Sequence, residues 1–260
     1  MSSTTNVKDF SDIYTEILNK MKQPTNNSAL TAQAKRYANT GLHDMVFGFE
    51  YKMPWLERTG FLTTMGPYTT GTVDVARGST TVTGDSTLWT TNNAYGVANA
   101  RTTGKLSFGS NNIYNITTVA ASSITMQQRY IADEDLAVGS SYTYFEDEYA
   151  LASDFLKLID LRRFTTAYDI PLIGRDEFRR LYPQPNISGI PKVATLLDKS
   201  FVTTSTQPIY VQFYPYPSTN LMIPYNYITK NLAVTSAGVE ATEMSGDTDE
   251  PQLPMRYRHA

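Results

Sequence analysis

Two short acidic runs bring together side chains that could carry chemistry. Asp133-Glu134-Asp135 and Glu146-Asp147-Glu148 each place three carboxylates side by side. Carboxylates in such groups can ligate calcium, and a pair of them can supply the acid and base of a glycosidase. Charged neighbours in sequence usually form a solvated face, however. We therefore predict two exposed acidic turns. The alternative is a hydrolase whose activity would be lost on changing Glu146 or Glu148.

Most other catalytic chemistries lack the residues they need. The sequence has no cysteine, which excludes disulfides, thiolate nucleophiles and sulfur-based zinc sites. Its two histidines are His43, within a predicted helix, and His259, beside the last residue. A serine–histidine–aspartate triad would have to use one of them. We expect both to be ordinary packed or solvent-facing residues.

Two partial matches to binding motifs are incomplete. Gly104 and Lys105 resemble the end of a phosphate-binding loop, but Leu106 stands where that loop requires serine or threonine. Asp247, Asp249 and Glu250 begin like a calcium loop without its central glycine and closing glutamate. We predict no enzymatic activity, no cofactor and no metal, and we expect residues 235–260 to form a polar tail that docks on another surface or stays mobile.

One stretch of the sequence concentrates basic residues among apolar ones. It contains Arg162, Arg163, Arg175, Arg179 and Arg180. These side chains could face DNA, but a formal charge of −3 gives no broad basic field to hold a phosphate backbone. The favoured prediction is that they pair with acidic groups across a subunit boundary.

A run of aromatic residues offers a second kind of surface. It consists of Tyr210, Phe213, Tyr214, Tyr216, Tyr225 and Tyr227. Flat amphipathic rings suit sugar stacking and protein interfaces alike. Alternation along a strand predicts that half of them lie in the core and that the exposed half contacts protein.

The elements that must position these residues begin with two helices. Apolar residues recur at three- and four-residue steps over residues 7–23, and Pro24 ends the pattern. A second helix is predicted to open at Asn27 or Ser28, either of which can cap it, and to run to about Tyr51. Helical spacing returns over residues 153–164 and 176–181, which predicts two further helices.

Strand patterns fill the middle of the chain. From Gly71 the composition shifts to threonine, serine, glycine and asparagine, and glycines mark the turns. The predicted strands are residues 72–76, 79–83, 104–108, 113–119, 123–127 and 141–145. Short strands at this spacing are typical of a small barrel. Residues 208–214 and 221–228, separated by a proline-containing turn, predict a hairpin.

Several pieces of the sequence resemble one family. The run GTVDVARGSTTVTGDSTLWT, from Gly71 to Thr90, is similar to the opening of a small β-barrel inserted into many head-to-tail adaptor proteins of tailed bacteriophages. The strands that follow it in the family resemble, in order, GKLSFG at Gly104, YNI at Tyr114, SSITMQQRY at Ser122 and SYTYFEDEY at Ser141. Later family segments resemble EYALASDF, with Ala152 where proline is usual, PIYVQFYPYPSTNLMIPYNY and DEPQLPMRY.

This resemblance implies an α+β fold. Residues 1–70 and 147–260 would form a helical adaptor core with a β-hairpin and a C-terminal tail, and residues 71–146 would form an inserted small antiparallel β-barrel. In relatives the last of the similar segments introduces further helices, which would begin at about the end of the printed sequence.

The resemblance also implies a function. The chain would be a structural virion protein in the neck of the particle, one subunit of a ring, of twelve copies in relatives, that connects the portal to the tail and lines the DNA exit channel. Its expected partners are the portal protein, tail or nozzle proteins and other copies of itself, while genomic DNA passes without specific binding. Expected contact residues are the arginines above together with Leu253, Pro254, Met255, Arg256, Tyr257 and Arg258.

The composition is that of a globular protein. The chain has 260 residues, of which 41% are hydrophobic and 18% charged, so it can bury a core. Residues 1–6 are polar, and no apolar run approaches the roughly 18 residues that a membrane span needs. We expect synthesis in the host cytoplasm and no membrane contact. The open alternative is a carbohydrate- or receptor-binding appendage of the virion, which the two leading helices count against.

Overall fold

The structure is a computed structural model that describes residues 9–48, 53–109, 112–162, 169–184, 186–198 and 208–254. Strands make up 36% of the chain and helices 18%. The predicted helical adaptor core is therefore wrong, because most of the segments outside the predicted insert also form strands.

The two leading helices are confirmed, with α1 at Phe10–Lys20 and α2 at Ser28–Phe47. Asp9 caps α1 by accepting a hydrogen bond from the backbone N–H of Asp12 at 3.0 Å. Asn27 caps α2 through the backbone N–H groups of Ala29 and Leu30, at 3.0 and 3.3 Å. A short helix, α3, spans Arg175–Leu181, close to its predicted position.

The strands follow the two leading helices, and α3 lies between the tenth and the eleventh strand. They are β1 (Glu57–Thr63), β2 (Thr72–Val75), β3 (Thr81–Asp85), β4 (Lys105–Ser107), β5 (Tyr114–Val119), β6 (Ser123–Met126), β7 (Leu136–Ser140), β8 (Thr143–Phe145), β9 (Glu148–Ala150), β10 (Phe155–Leu161), β11 (Ser188–Gly189), β12 (Val193–Leu197), β13 (Tyr210–Tyr214), β14 (Tyr216–Pro217), β15 (Met222–Thr229), β16 (Ala233–Val234), β17 (Glu240–Ala241) and β18 (Glu250–Pro251). All six strands predicted between residues 72 and 145 are present, and β7 is one that the sequence analysis missed.

A curled seven-stranded antiparallel sheet occupies the middle of the chain, in the order β7-β2-β3-β6-β5-β4-β8. Its inward side chains form one apolar core around Trp89, which is fully buried. The indole N–H of Trp89 donates to the hydroxyl of Tyr142 at 2.9 Å, and that hydroxyl donates to the carbonyl of Thr70 at 2.7 Å. The polar atoms of both large rings are thus satisfied inside the core.

The chain enters and leaves the curled sheet at adjacent points. Tyr68, just before β2, and Tyr144, in β8, exchange backbone hydrogen bonds of 2.8 and 2.9 Å. The chain therefore leaves this sheet next to the point where it came in, which is the geometry of an inserted module.

Two predictions about the remaining strands are wrong. The segment predicted as a helix over residues 153–164 contains strand β10 in a sheet of order β1-β15-β10. The predicted hairpin does not form, because β13 pairs with β12 and β9 while β15 belongs to that other sheet.

The chain divides into two compact units. One comprises Met1–Thr59, Asp154–Ile159 and Asn226–Ala260, and the other comprises Gly60–Ser153 and Asp160–Tyr225. In the first unit, Phe10 and Ala38 of the leading helices pack with Ala233 and Met244.

The C-terminal segment of this first unit docks on α1. The backbone N–H groups of Phe10 and Ser11 donate to the carbonyls of Asp249 and Asp247 at 2.8 and 2.9 Å. Of the two outcomes predicted for this segment, docking is therefore the observed one up to residue 254.

Candidate functional site

The second acidic run is buried, against the prediction of an exposed turn. Glu146, Asp147 and Glu148 join β8 to β9, and their relative exposures are 2%, 0% and 9%. The backbone N–H of Phe213 donates to the carbonyl of Asp147 at 2.8 Å, which anchors the run to β13. Buried carboxylates need cations or hydrogen-bond donors around them, and the chain supplies both.

Arg101 and Tyr144 hold Glu146. The guanidinium of Arg101 forms a forked pair with this carboxylate, with Nε to Oε1 at 2.9 Å, and the hydroxyl of Tyr144 donates to the same carboxylate. Burial, reinforced by the charge of Glu146, raises the pKa of Tyr144 above its usual range. The phenol therefore stays protonated and remains a donor.

Lys105 holds the other two carboxylates. Its ammonium lies 2.7 Å from Asp147 Oδ2 and 3.0 Å from Glu148 Oε1, and its side chain is 12% exposed. Burial alone would lower the pKa of Lys105, but the two carboxylates outweigh it and raise that pKa above its ordinary value. The side-chain amide of Gln212 also donates to Asp147 Oδ2 at 2.7 Å.

One oxygen of this group accepts no hydrogen bond from any described residue. Asp147 Oδ1 is fully buried, and burial raises the pKa of the Asp147 carboxyl above its ordinary value. We call Arg101, Lys105, Glu146, Asp147 and Glu148 the ionic cluster. Each of its carboxylates is engaged by a cation, so the cluster fastens the curled sheet to β9 and β13 and presents no free acid–base pair.

A cavity of about 440 Å³ lies against the ionic cluster, and we call it the α3 pocket. The ionic cluster contributes Lys105 and Glu148 to its wall, and Gln212 adds an amide. The other wall comes from α3 and its C-terminal neighbour and consists of Arg175, Phe178, Arg179 and Tyr182. Phe178 is buried, and α3 packs on β12.

The predicted interface arginines meet different surroundings. Arg162 has local partners, with ion pairs to Asp160 at 3.1 Å and Asp169 at 3.5 Å. Arg175, Arg179 and Arg180 are exposed, and no described carboxylate lies within ion-pair distance of them. Arg163 lies outside the described residues.

The predicted C-terminal contact residues are described only in part. Leu253 and Pro254 are half-buried and line a cavity of about 630 Å³ together with Trp55 and Gln252. Met255, Arg256, Tyr257 and Arg258 lie outside the described residues, as does His259. His43 is exposed on α2 and packs its ring on Phe47, with ring centroids 4.9 Å apart.

The incomplete match to a calcium loop has a structural explanation. Asp249, expected in a polar tail, is 3% exposed. The backbone N–H groups of Ser245 and Gly246 donate to its carboxylate at 2.8 and 2.7 Å and lower its pKa. Within the described parts of the chain, no group of three or more histidine, aspartate or glutamate side chains is arranged to hold a metal ion.

The aromatic run offers no exposed platform. Phe213, Tyr216, Tyr225 and Tyr227 are buried, and Tyr210 and Tyr214 are half-buried. The prediction of an exposed half is wrong, and the aromatic run itself presents no exposed surface for sugar stacking.

Sequence reasoning missed Arg101, Lys105 and Gln212 as parts of one site. Alternation in β4 places Lys105 on the opposite face from the core residue Leu106, and this pattern could have indicated a separate contact for Lys105 outside the apolar core. The partners of Lys105 come from β8–β9 and β13, which only the tertiary structure brings together.

Comparisons with known proteins add no relative from which a role could be transferred. No protein-family model matches the chain, and no curated protein matches it. None of the described helices combines the length and the apolar character needed to cross a lipid bilayer.

Proposed function

We propose that this chain is a non-enzymatic structural protein of a tailed bacteriophage, a subunit of the adaptor ring between the portal and the tail. The observation that carries the proposal is the pairing of Tyr68 and Tyr144, where the chain enters and leaves the curled sheet, with backbone hydrogen bonds of 2.8 and 2.9 Å. A β module inserted with adjacent ends is what the resemblance to adaptor proteins implies for this part of the sequence.

The surface around α3 supports an assembly role. Leu172, Leu181, Ile187 and Ile190 are 44%, 50%, 54% and 56% exposed, although they are apolar. They lie in one stretch of sequence with the exposed and unpaired arginines of α3. Apolar side chains combined with arginine are typical of protein interfaces, whereas a free-standing protein gains nothing from exposing them.

The work of such a ring is mechanical. Copies matching the number of portal subunits would surround the channel through which the genome leaves, with tail or nozzle proteins on the far side. The chain carries a net charge of −3, which lets DNA pass without the counterion release that tight binding requires.

Electron microscopy of the purified protein mixed with the portal of the same phage tests the proposal. We expect a ring with a central channel, seated on the portal and sharing its symmetry axis. The variant carrying Arg179→Glu and Arg180→Glu should fold normally and form no ring, because it reverses two unpaired interface charges. A wild-type protein that stays monomeric in the presence of its portal would overturn the function.

A further inference from the structure

Two cations of the α3 pocket form no ion pair with any described residue. Arg175 and Arg179 are four residues apart in α3, so they lie on one face of the helix, and both line the cavity of about 440 Å³. Lys105 also lines it, but its ammonium is taken by Asp147 and Glu148 at 2.7 and 3.0 Å. The excess positive charge of the pocket therefore belongs to the two arginines.

The rest of the lining suits an amino-acid side chain. Phe178 and Leu197 supply an apolar floor, and Tyr182, whose ring stacks on Tyr214 with centroids 3.8 Å apart, is held in place. Gln184 and Gln212 add amide groups at the wall. An apolar floor with a few converging polar groups is the usual composition of a binding pocket.

We infer that the α3 pocket binds an acidic segment of a partner polypeptide, with an aspartate or glutamate carboxylate placed between Arg175 and Arg179. Guanidinium groups pair with carboxylates through two parallel hydrogen bonds, which gives the contact direction as well as strength. The inference deepens the ring function proposed above and rests on it for the source of the segment, a neighbouring protein of the neck.

A carboxylate fits this pocket better than a nucleic-acid backbone. The phosphates of a duplex lie on a convex surface and cannot enter a recess of this size. Glu148 lies in the wall, and the chain as a whole is negatively charged, so a long nucleic acid meets more repulsion than a short peptide with a few carboxylates.

Fluorescence anisotropy with the full chain tests the inference directly. The probe is a labelled, end-capped hexapeptide of alternating glutamate and alanine, and its control has glutamine in place of glutamate. We expect saturable binding of the glutamate peptide only. The variant Arg175→Gln with Arg179→Gln should weaken it by roughly tenfold or more, since charge-assisted hydrogen bonds are lost.

Arg180→Gln is the matched control, because Arg180 belongs to the same helix and is exposed but does not line the pocket. It should leave peptide affinity unchanged, and all variants should keep the wild-type unfolding temperature. The inference would be overturned if both peptides bound equally well or if the Arg180→Gln variant lost as much affinity as the double variant. It would also be overturned if duplex DNA or inorganic phosphate displaced the peptide at the peptide's own concentration, or if the wild-type Kd were weaker than about 1 mM.

The peptide measurement uses the isolated protein, whereas the ring function is tested with the portal. Peptide binding without a ring on the portal would overturn the proposed function and leave the pocket assignment standing. A ring on the portal without peptide binding would overturn the pocket assignment and leave the proposed function standing.

Discussion

The two acidic runs of this protein have nearly the same composition and opposite surroundings. Asp133, Glu134 and Asp135 are all exposed, in the turn that leads into β7. Glu146, Asp147 and Glu148 follow about ten residues later and are buried at 2%, 0% and 9% exposure. Nothing in the composition of either run distinguishes the two environments.

The difference comes from what the rest of the chain places beside each run. The exposed run also has a distant partner, since the backbone N–H of Arg77 donates to Asp135 at 2.6 Å. Its carboxylates stay in solvent, however, and form no ion pair with a described cation. The buried run meets the cations of Arg101 and Lys105, which lie more than forty residues earlier in the chain. Carboxylates lose hydration on burial, and in this run cations held at short distance compensate for that loss.

Removing the central cation of the buried run should have the largest effect on stability. Lys105→Met leaves Asp147 and Glu148 buried side by side, and we expect the free energy of unfolding to fall by about 3–5 kcal/mol. Urea unfolding at neutral pH measures it. The loss should shrink at acidic pH, because a proton then neutralises Asp147, and also when Asp147→Leu is added. A single variant as stable as the wild type would show that Lys105 does not hold the cluster.

Alkaline pH should lower the free energy of unfolding by a smaller amount, through the tyrosines beside the buried run. Burial raises the pKa of Tyr144 and Tyr149, beside the buried run, above their ordinary value of 10.0. Above that pH the unfolded chain releases phenol protons that the folded chain retains, so the free energy of unfolding falls. One pH unit above it, the two tyrosines together should contribute a loss of about 3 kcal/mol.

Urea unfolding across this alkaline range measures the decline. Lys105 acts in the same direction, since its folded-state pKa is raised above its ordinary value of 10.5. A Tyr144→Phe variant should decline less steeply than the wild type, because one of the raised phenols is gone. Identical slopes would mean that Tyr144 does not retain its proton in the folded state.

Neutralising the exposed run should have the smallest effect. Asp133→Asn with Glu134→Gln removes two solvated charges, and the carbonyl of Asp133, which accepts from Arg77 at 3.0 Å, is untouched. We expect the free energy of unfolding to change by less than about 0.5 kcal/mol in the same urea experiment. A larger loss would indicate that this run is also a structural element.

Local patterns predicted the elements whose reasons are local. The spacing of apolar residues and the capping residue Asn27 located α2, and glycine turns between threonine-rich segments located the strands of the curled sheet. Helix caps and tight turns depend on atoms a few residues apart, so the sequence contains the whole explanation.

The segment of β10 shows where this reasoning fails. Its apolar residues repeat at helical spacing, yet Asp154, just before it, accepts hydrogen bonds from Tyr227 at 2.9 Å and Thr229 at 2.7 Å. The backbone N–H of Lys230 donates to the carbonyl of Asp154 at 2.7 Å. These distant groups hold the start of the segment beside the end of β15, and sheet pairing then outweighs a weak local helical preference.

For this protein, the sequence alone determined the leading helices, the strand-rich middle and the lack of cysteine chemistry, because each depends on composition or on neighbours along the chain. The tertiary structure alone decided which acidic run is buried, where Lys105 finds its partners and that two arginines of α3 face a cavity. Those outcomes depend on groups brought together from distant parts of the chain, and the free energy of a charge is set by the atoms around it in space.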